Sequence, residues 1–242
     1  MCDDGSLALS SRRESSPPGS VAADLVLAKM RLGIIGPAKG DLRALARASE
    51  YLLDVAGVQK VLYLASDGAV DLVVRAWARF LVGNDPTEDG LLARATVRCA
   101  NAAPEAIASF VAAERSRGRM RALASLPEGH KRTVELFAGR VALFMYDKSI
   151  LDEDDVVGAT LFIYGRSSEP KVKRIGTRMF ITPGPLAGPR GGLGVLGEGP
   201  SGGVRVEIRN IDGSILLEET LGGSGSMLPG IKMRVQGGND AG

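Results

Sequence analysis

Residues 30–42 read Met30-Arg31-Leu32-Gly33-Ile34-Ile35-Gly36-Pro37-Ala38-Lys39-Gly40-Asp41-Leu42. An apolar run of strand length, residues 31–35, enters a tight Gly/Pro loop and passes directly into a stretch where Leu42, Leu45, Ala46, Ala48, Leu52 and Leu53 recur at helical spacing. Asp41 is placed to cap that helix, expected over about 41–56, and Gly57 to end it. In open α/β sheets ligands gather outside the carboxyl ends of the strands, so the loop after the first strand has the position of a site. Its side chains are Pro37, Ala38, Lys39 and Asp41, set among glycines, which is little chemistry for such a place.

The unit repeats downstream. Residues 60–64 read as a buried strand ending at Ala65-Ser66-Asp67-Gly68, and a helix over about 69–81 carries Trp77, the chain's one tryptophan. A strand is expected at 95–99, a helix at about 104–115, an arginine-rich link, and a strand at 140–145. Strands alternating with helices of this length predict a parallel sheet with right-handed crossovers. Past the acidic turn Asp152-Glu153-Asp154-Asp155 the chain turns β-rich, with strands at 159–164 and 178–181 and hairpin-like strands at 192–196, 204–208 and 215–220. Asp212-Gly213 is a strong two-residue turn between the last two. These later strands are expected to form a second sheet packed on the first, a layered α/β sandwich.

Composition narrows the function classes. The 242 residues, 45% hydrophobic, suffice for one sizeable core. Thirty basic and 28 acidic residues leave a net charge of +2, and aromatics make up 5%, so neither a global field nor a stacking surface favours nucleic acid or an anionic membrane. Cys2 and Cys99 make no disulfide framework, and one histidine, His130, limits imidazole metal sites. No apolar run reaches the roughly 18 residues of a membrane span, and Asp3 and Asp4 open no secretory leader, so a soluble, cytoplasmic protein is expected. Residues 1–29 are expected to be a disordered or weakly ordered extension. Within it, 21–29 form a short apolar stretch, either packed on the domain or read through from upstream of a start at Met30. Residues 30–221 form the domain, and 222–242 a Gly-rich flexible tail.

Four stretches together resemble the calcineurin-like metallophosphoesterases, specifically their small bacterial and archaeal branch. Gly33-Ile34-Ile35-Gly36-Pro37-Ala38-Lys39-Gly40-Asp41-Leu42 follows the frame of that family's G-x-I-S-D-x-H-G-N-L, and Lys60-Val61-Leu62-Tyr63-Leu64-Ala65-Ser66 follows its second strand and L-G-D. Gly165-Arg166-Ser167-Ser168-Glu169-Pro170 and Thr182-Pro183-Gly184-Pro185 stand where the family reads G-H-x-H-x-P and N-P-G-S. The resemblance implies a calcineurin-like α/β sandwich and, in the family, two metal ions that activate water against a phosphoryl group. At the implied ligand positions this chain has Pro37, Lys39, Ser66, Ala102, Ala103, Met145, Arg166 and Ser168, with only Asn101 of the set retained. Neither Pro nor Ala coordinates a cation, and Lys39 and Arg166 repel one. Asp67 beside Ser66, Asp41 beside Gly40, and Gly83-Asn84-Asp85 are weak alternative donors.

The expected protein is therefore a catalytically inactive homologue without metal or other cofactor, acting as a protein-binding or scaffold module and open to self-association. The alternatives are an anion or nucleotide sensor built from Lys39, Ser66, Asn101, Arg166, Ser167 and Ser168, and a residual phosphodiesterase. Met145 and Tyr146 are either core or an apolar plug in the metal void. His130 reads as a loop residue, and Arg115, Arg117, Arg119 and Arg121 as a solvated helix end before a recognition patch. Cys99 reads as a buried strand residue rather than a nucleophile. Gly191-Gly192-Leu193-Gly194 lacks the following helix a dinucleotide loop needs.

Overall fold

A computed structural model describes residues 30–129, 131–199 and 202–222. Expectations for 1–29, His130 and 223–242 lie outside the described residues. β1 (Arg31–Ile35) pairs parallel with β2 (Lys60–Tyr63), and β2 pairs parallel with β3 (Leu123–Ser125). On its other side β1 pairs antiparallel with β9 (Leu193–Glu198), which continues through β10 (Val204–Arg209) to β11 (Ile215–Leu221). The first sheet thus runs β11-β10-β9-β1-β2-β3. The second comprises β4 (Arg132–Phe137), β5 (Arg140–Met145), β6 (Leu161–Tyr164), β7 (Lys171–Ile175) and β8 (Arg178–Thr182), in the order β4-β5-β6-β8-β7. Two mixed sheets flanked by helices make the α/β sandwich that the resemblance implies.

The period-2 alternation of the strands builds three apolar layers. Leu32 and Ile34 of β1, with Leu62 of β2, face Phe144, Ile163, Met179 and Ile181 of the second sheet. Ile35, Val61 and Tyr63 face the other way, onto Leu45, Ala48 and Leu52 of α1 (Leu42–Glu50) with its extension, and onto Val70 and Val73 of α2 (Ala69–Val82). The outer face of the second sheet packs Leu143, Met145, Phe162 and Tyr164, with Phe162 stacked on Phe180 at 4.8 Å between centroids. Strands buried on both faces read as unbroken apolar runs, which is why 60–64 and 159–164 stand out in the sequence. Asp41 caps α1 through a 2.9 Å hydrogen bond from the Ala44 amide, and the helix widens into a π turn at Tyr51–Val55 before Gly57.

Three expectations need correction. Residues 95–99 are not a strand but the end of α3 (Leu91–Cys99), which pairs with α4 (Pro104–Arg119) as a helical hairpin. The stretch is too short for its β-branched Thr96 and Val97 to outweigh a tertiary anchor: the Arg94 guanidinium lies buried, bonding Glu114 at 2.7 and 3.2 Å and the Thr87 carbonyl at 3.0 Å. The third parallel strand is the three-residue β3, hidden in the arginine-rich link because so short a strand shows no periodicity. Nor does the chain divide between the sheets as expected: β5 stands in the second sheet, and none of the late hairpin strands does, since β9, β10 and β11 extend the first, where β9 takes the free edge of β1. The edge strands β4 and β7 leave no apolar run in the sequence, since alternate residues of β4 and all but Val172 of β7 are exposed. Among the described residues no helix is long and apolar enough to cross a membrane.

The arginine run turns out to be largely paired: Arg117 bonds Glu114 and, at 2.8 Å, Glu88; Arg119 pairs with Asp54 and Arg121 with Glu88. Hydrogen bonds from Arg117 and then Arg121 bring the Glu88 carboxyl down to about 2. For Glu114 desolvation pushes upward, but Arg94 and Arg117 outweigh it and hold the carboxyl below its ordinary value. Carboxylates depressed in the folded state stabilise it above their unfolded pKa, and that contribution is lost as pH falls through the folded value. Hydrogen exchange at α3 is therefore expected to accelerate as pH drops from about 5 towards 2 beyond its intrinsic pH dependence. Glu114→Gln, which leaves Arg94 buried without its anion, is expected to lower unfolding stability by about 3 kcal/mol in urea titrations.

Candidate functional site

The loops after β1, β2, β5, β6 and β8 converge at one end of the two sheets, and backbone rather than side chains dominates where they meet. The Gly36 amide donates to the Gly192 carbonyl at 2.8 Å, the Gly192 amide to the Pro183 carbonyl at 2.7 Å, and the Leu186 amide to the Pro37 carbonyl at 3.0 Å. Across the same seam the Gly165 amide and, at 2.7 Å, the Arg166 amide donate to the Tyr146 carbonyl. The approach is so close that a Cβ on Gly36 would lie 1.8 Å from the Gly184 carbonyl oxygen, and one on Gly165 2.2 Å from that of Leu64. Pro37, Ala38 and residues 182–186 are buried. The glycine pair 191–192 thus belongs to a seam between loops, and that is its role in place of a nucleotide cradle.

Tyr63, at the carboxyl end of β2, fills the space behind the first loop. Its hydroxyl accepts the Ala38 amide at 3.0 Å and donates to Asp67 at 2.9 Å, while the other Asp67 oxygen accepts the Ala69 amide at 3.1 Å and so opens α2. Burial above all, with the Asp67 carboxylate nearby, pushes the Tyr63 phenol up to about 12. Asp67 is thereby committed to holding two loops, and Asp41 to capping α1.

The expected site residues fall in separate places. Ser66 lines a hollow of about 200 Å³ with Gly129, Lys131, Tyr146, Asp147 and Ile150. Arg166 reaches this neighbourhood as the ion-pair partner of Asp147, whose carboxyl is held low first by the Ser149 amide and then by Arg166. Ser168 lines a second hollow, with Glu169, Pro170 and Arg190, and the Ser167 hydroxyl is turned to the Glu169 carbonyl at 2.7 Å. Lys39 stands exposed on the first loop in a left-handed backbone conformation, φ +51°. Met145 is buried on the outer face of the second sheet and Tyr146 half exposed, so Met145 belongs to the core layer there. Asn101, Ala102 and Ala103 are elsewhere. They follow a helix, at the α3–α4 turn, and the helix residues on either side of it, Arg98, Ala106 and Phe110, share a hollow with Leu81 and Val82 at the far end of α2. Because α2 starts at the β2 loop and runs away from it, that end is opposite the loop cluster. The loop that does follow β3 is Leu126-Pro127-Glu128-Gly129.

The sequence reading missed Asp147, the partner of Arg166, and Tyr63, whose role is visible only when the first two loops are side by side. A metal pair does not fit what is present. Among the described residues no three His, Cys, Asp or Glu side chains stand together as a ligand set, Lys39 and Arg166 bring positive charge, and Asp67, Asp41 and Asp147 are each engaged elsewhere.

Two variants test the seam. Gly36→Ala is expected to lower unfolding stability by at least about 1–3 kcal/mol, since its methyl group meets backbone that cannot rotate away. Tyr63→Phe leaves the buried Ala38 amide without an acceptor and is expected to cost about 1–3 kcal/mol in urea denaturation. A phenol whose folded pKa exceeds its unfolded one stabilises the fold fully below the unfolded value, and that stability fades as pH rises through the folded value. The gap between wild type and Tyr63→Phe should therefore shrink between pH 10 and about 12.

No family model and no curated protein matches the sequence. Among solved structures, the chain is similar to a conserved uncharacterized protein of Streptococcus pneumoniae described as a predicted phosphoesterase, at 13% identity over 80% of this chain and 97% of that one, TM-score 0.46. It is similar to an archaeal phosphodiesterase at 14% identity over 74% and 99% of the two chains, TM-score 0.44. Vps29 of Entamoeba histolytica, solved with Zn²⁺, aligns at 13% identity over 80% and 100%, TM-score 0.42. The described residues at the loop ends differ in kind from the metal-donor set that the resemblance implies.

Proposed function

We propose that this chain is a non-catalytic member of the phosphoesterase-like sandwiches, working as a protein-binding module. The observation that carries the reading is the sealed loop seam. Where a phosphoesterase needs an open cleft lined with donors, Gly36, Gly184 and Gly192 press backbone on backbone, and Pro37 and Ala38 are buried. A packed sandwich keeps its surfaces when its reaction site closes. The α3–α4 hairpin supports binding as the retained use: α3 buries only Arg94 and α4 no residue at all, yet Leu92 and Val97 stand 79% and 80% exposed. An arm that adds so little to the core and presents apolar side chains has the character of an interaction surface.

The test combines chemistry with binding. Purified full-length protein, incubated with Mn²⁺ and then with Zn²⁺, is expected to retain no stoichiometric metal after desalting and to leave a generic phosphodiester unhydrolysed. A partner captured from the native cells is expected to be lost with the exposed double variant Leu92→Asp/Val97→Asp. Stoichiometric metal together with turnover that falls in Asp67→Ala would overturn the reading.

The second reading, direct anion binding, is favoured by the hollow where Ser66 and Lys131 stand near the Arg166–Asp147 pair. An anion there must compete with Asp147 for the guanidinium. Isothermal titration with inorganic phosphate or a nucleotide, with heat lost in both Arg166→Ala and Lys131→Ala, would favour it over the binding-module reading.

A further inference from the structure

We propose that the apolar segment 21–29 of this chain covers a groove at the end of the first sheet opposite the loop seam. The groove, about 220 Å³, is bounded by Leu53 of the π turn, by Trp77 and Phe80 of α2, and by Arg119 and Met120 at the end of α4. Phe80 is 87% exposed and Val55, two residues beyond Leu53, is 72% exposed. Within the groove, the exposed Phe80 beside the half-buried Trp77 and Leu53 forms an apolar patch that the fold leaves uncovered.

The occupant follows from where the chain enters the fold. The Arg31 amide is held by the Gln59 side chain at 2.6 Å, and the Gln59 amide donates back to the Arg31 carbonyl at 3.0 Å. Residue 30 therefore emerges beside 57–59, directly after the π turn that supplies the groove with Leu53 and Asp54. From Asp54 to Gln59 is five residues, a span of at most about 18 Å, and nine residues reach up to about 30 Å extended, so 21–29 can cover the groove without strain. Their composition suits it. Residues 21–29 read Val-Ala-Ala-Asp-Leu-Val-Leu-Ala-Lys, seven of the nine apolar. This is the one strongly apolar run in the first 29 residues, and it stops where β1 begins. Its two charges, Asp24 and Lys29, meet a rim of both signs, where Arg119 pairs with Asp54 beside Glu50.

Trp77, the only tryptophan, is a built-in reporter because it lines the groove. The experiment compares the full-length chain with Leu25→Asp/Leu27→Asp and, separately, with Phe80→Asp, reading hydrogen exchange at 22–29 and Trp77 fluorescence. Phe80 is exposed in the folded domain, so its substitution spares the core, and equal thermal melts would verify this. In the wild type the amides of 22–29 are expected to exchange at least tenfold more slowly than in either variant, equivalent to about 1.4 kcal/mol of docking free energy. Leu25→Asp/Leu27→Asp is expected to move Trp77 emission to longer wavelength and to make it more open to acrylamide. Exchange at 22–29 that is already fast in the wild type, or protection that survives Phe80→Asp, overturns the proposal. So does a Trp77 signal that changes with protein concentration, since the groove is then filled by a second copy.

Discussion

At the carboxyl end of β1 the Gly36 amide reaches the Gly192 carbonyl while its Cα passes against Gly184, and no residue larger than glycine fits that crossing. This contact ties the first loop to the ends of β8 and β9, and so joins strands of both sheets at one point. Gly165 does the same between β6 and the end of β2. The apolar layer between the sheets, with Leu32, Ile34, Phe144 and Ile163, supplies the cohesion, and the seam sets how the sheet ends abut. A close-packed interior transmits such a constraint without slack.

That closure decides the chemistry. Hard metal ions need oxygen and imidazole donors aimed into a polar space, with a position left open for substrate. Here the space behind the first loop holds the Tyr63 ring, and the polar groups near it, the Ala38 amide and Asp67, are satisfied by its hydroxyl. A buried phenol that bridges two loops is a structural member, and its raised pKa expresses the same burial. The cations that stand where the resemblance implies ligands have gone different ways: Arg166 to an ion pair with Asp147, Lys39 to solvent.

The opposite end of the first sheet has another character. The α3–α4 hairpin is held by charge more than by apolar burial, with Arg94, Glu114, Arg117, Glu88 and Arg121 linked in one network. Such an arm depends on a few ion pairs that are partly shielded from water, and its apolar side chains stay outward. One side of the molecule is therefore a sealed seam and the other a surface with apolar groups to spare.

The sequence by itself determined the first two strand–loop–helix units with their parallel strands, the Asp41 cap and a hairpin between the last two strands, because these rest on local periodicity and turn chemistry. That hairpin nevertheless turns through 210–214, with the Gly213 amide on the Asn210 carbonyl, rather than through two residues. It also determined which side chains stand at the loop ends, and hence that Pro37, Lys39 and Ser66 offer no metal-donor set. Only the tertiary structure decided the rest. Whether 95–99 is helix or strand turns on Arg94 finding Glu114, 20 residues away, and the sheet that β9 to β11 join turns on which edge of β1 is free. The Asn101 motif position moves to the far end of the molecule for the same reason, since its loop follows α3 and not a strand. The seam itself was illegible beforehand, because a glycine in sequence does not say whose backbone it will meet, and that meeting is fixed by packing between residues more than a hundred positions apart.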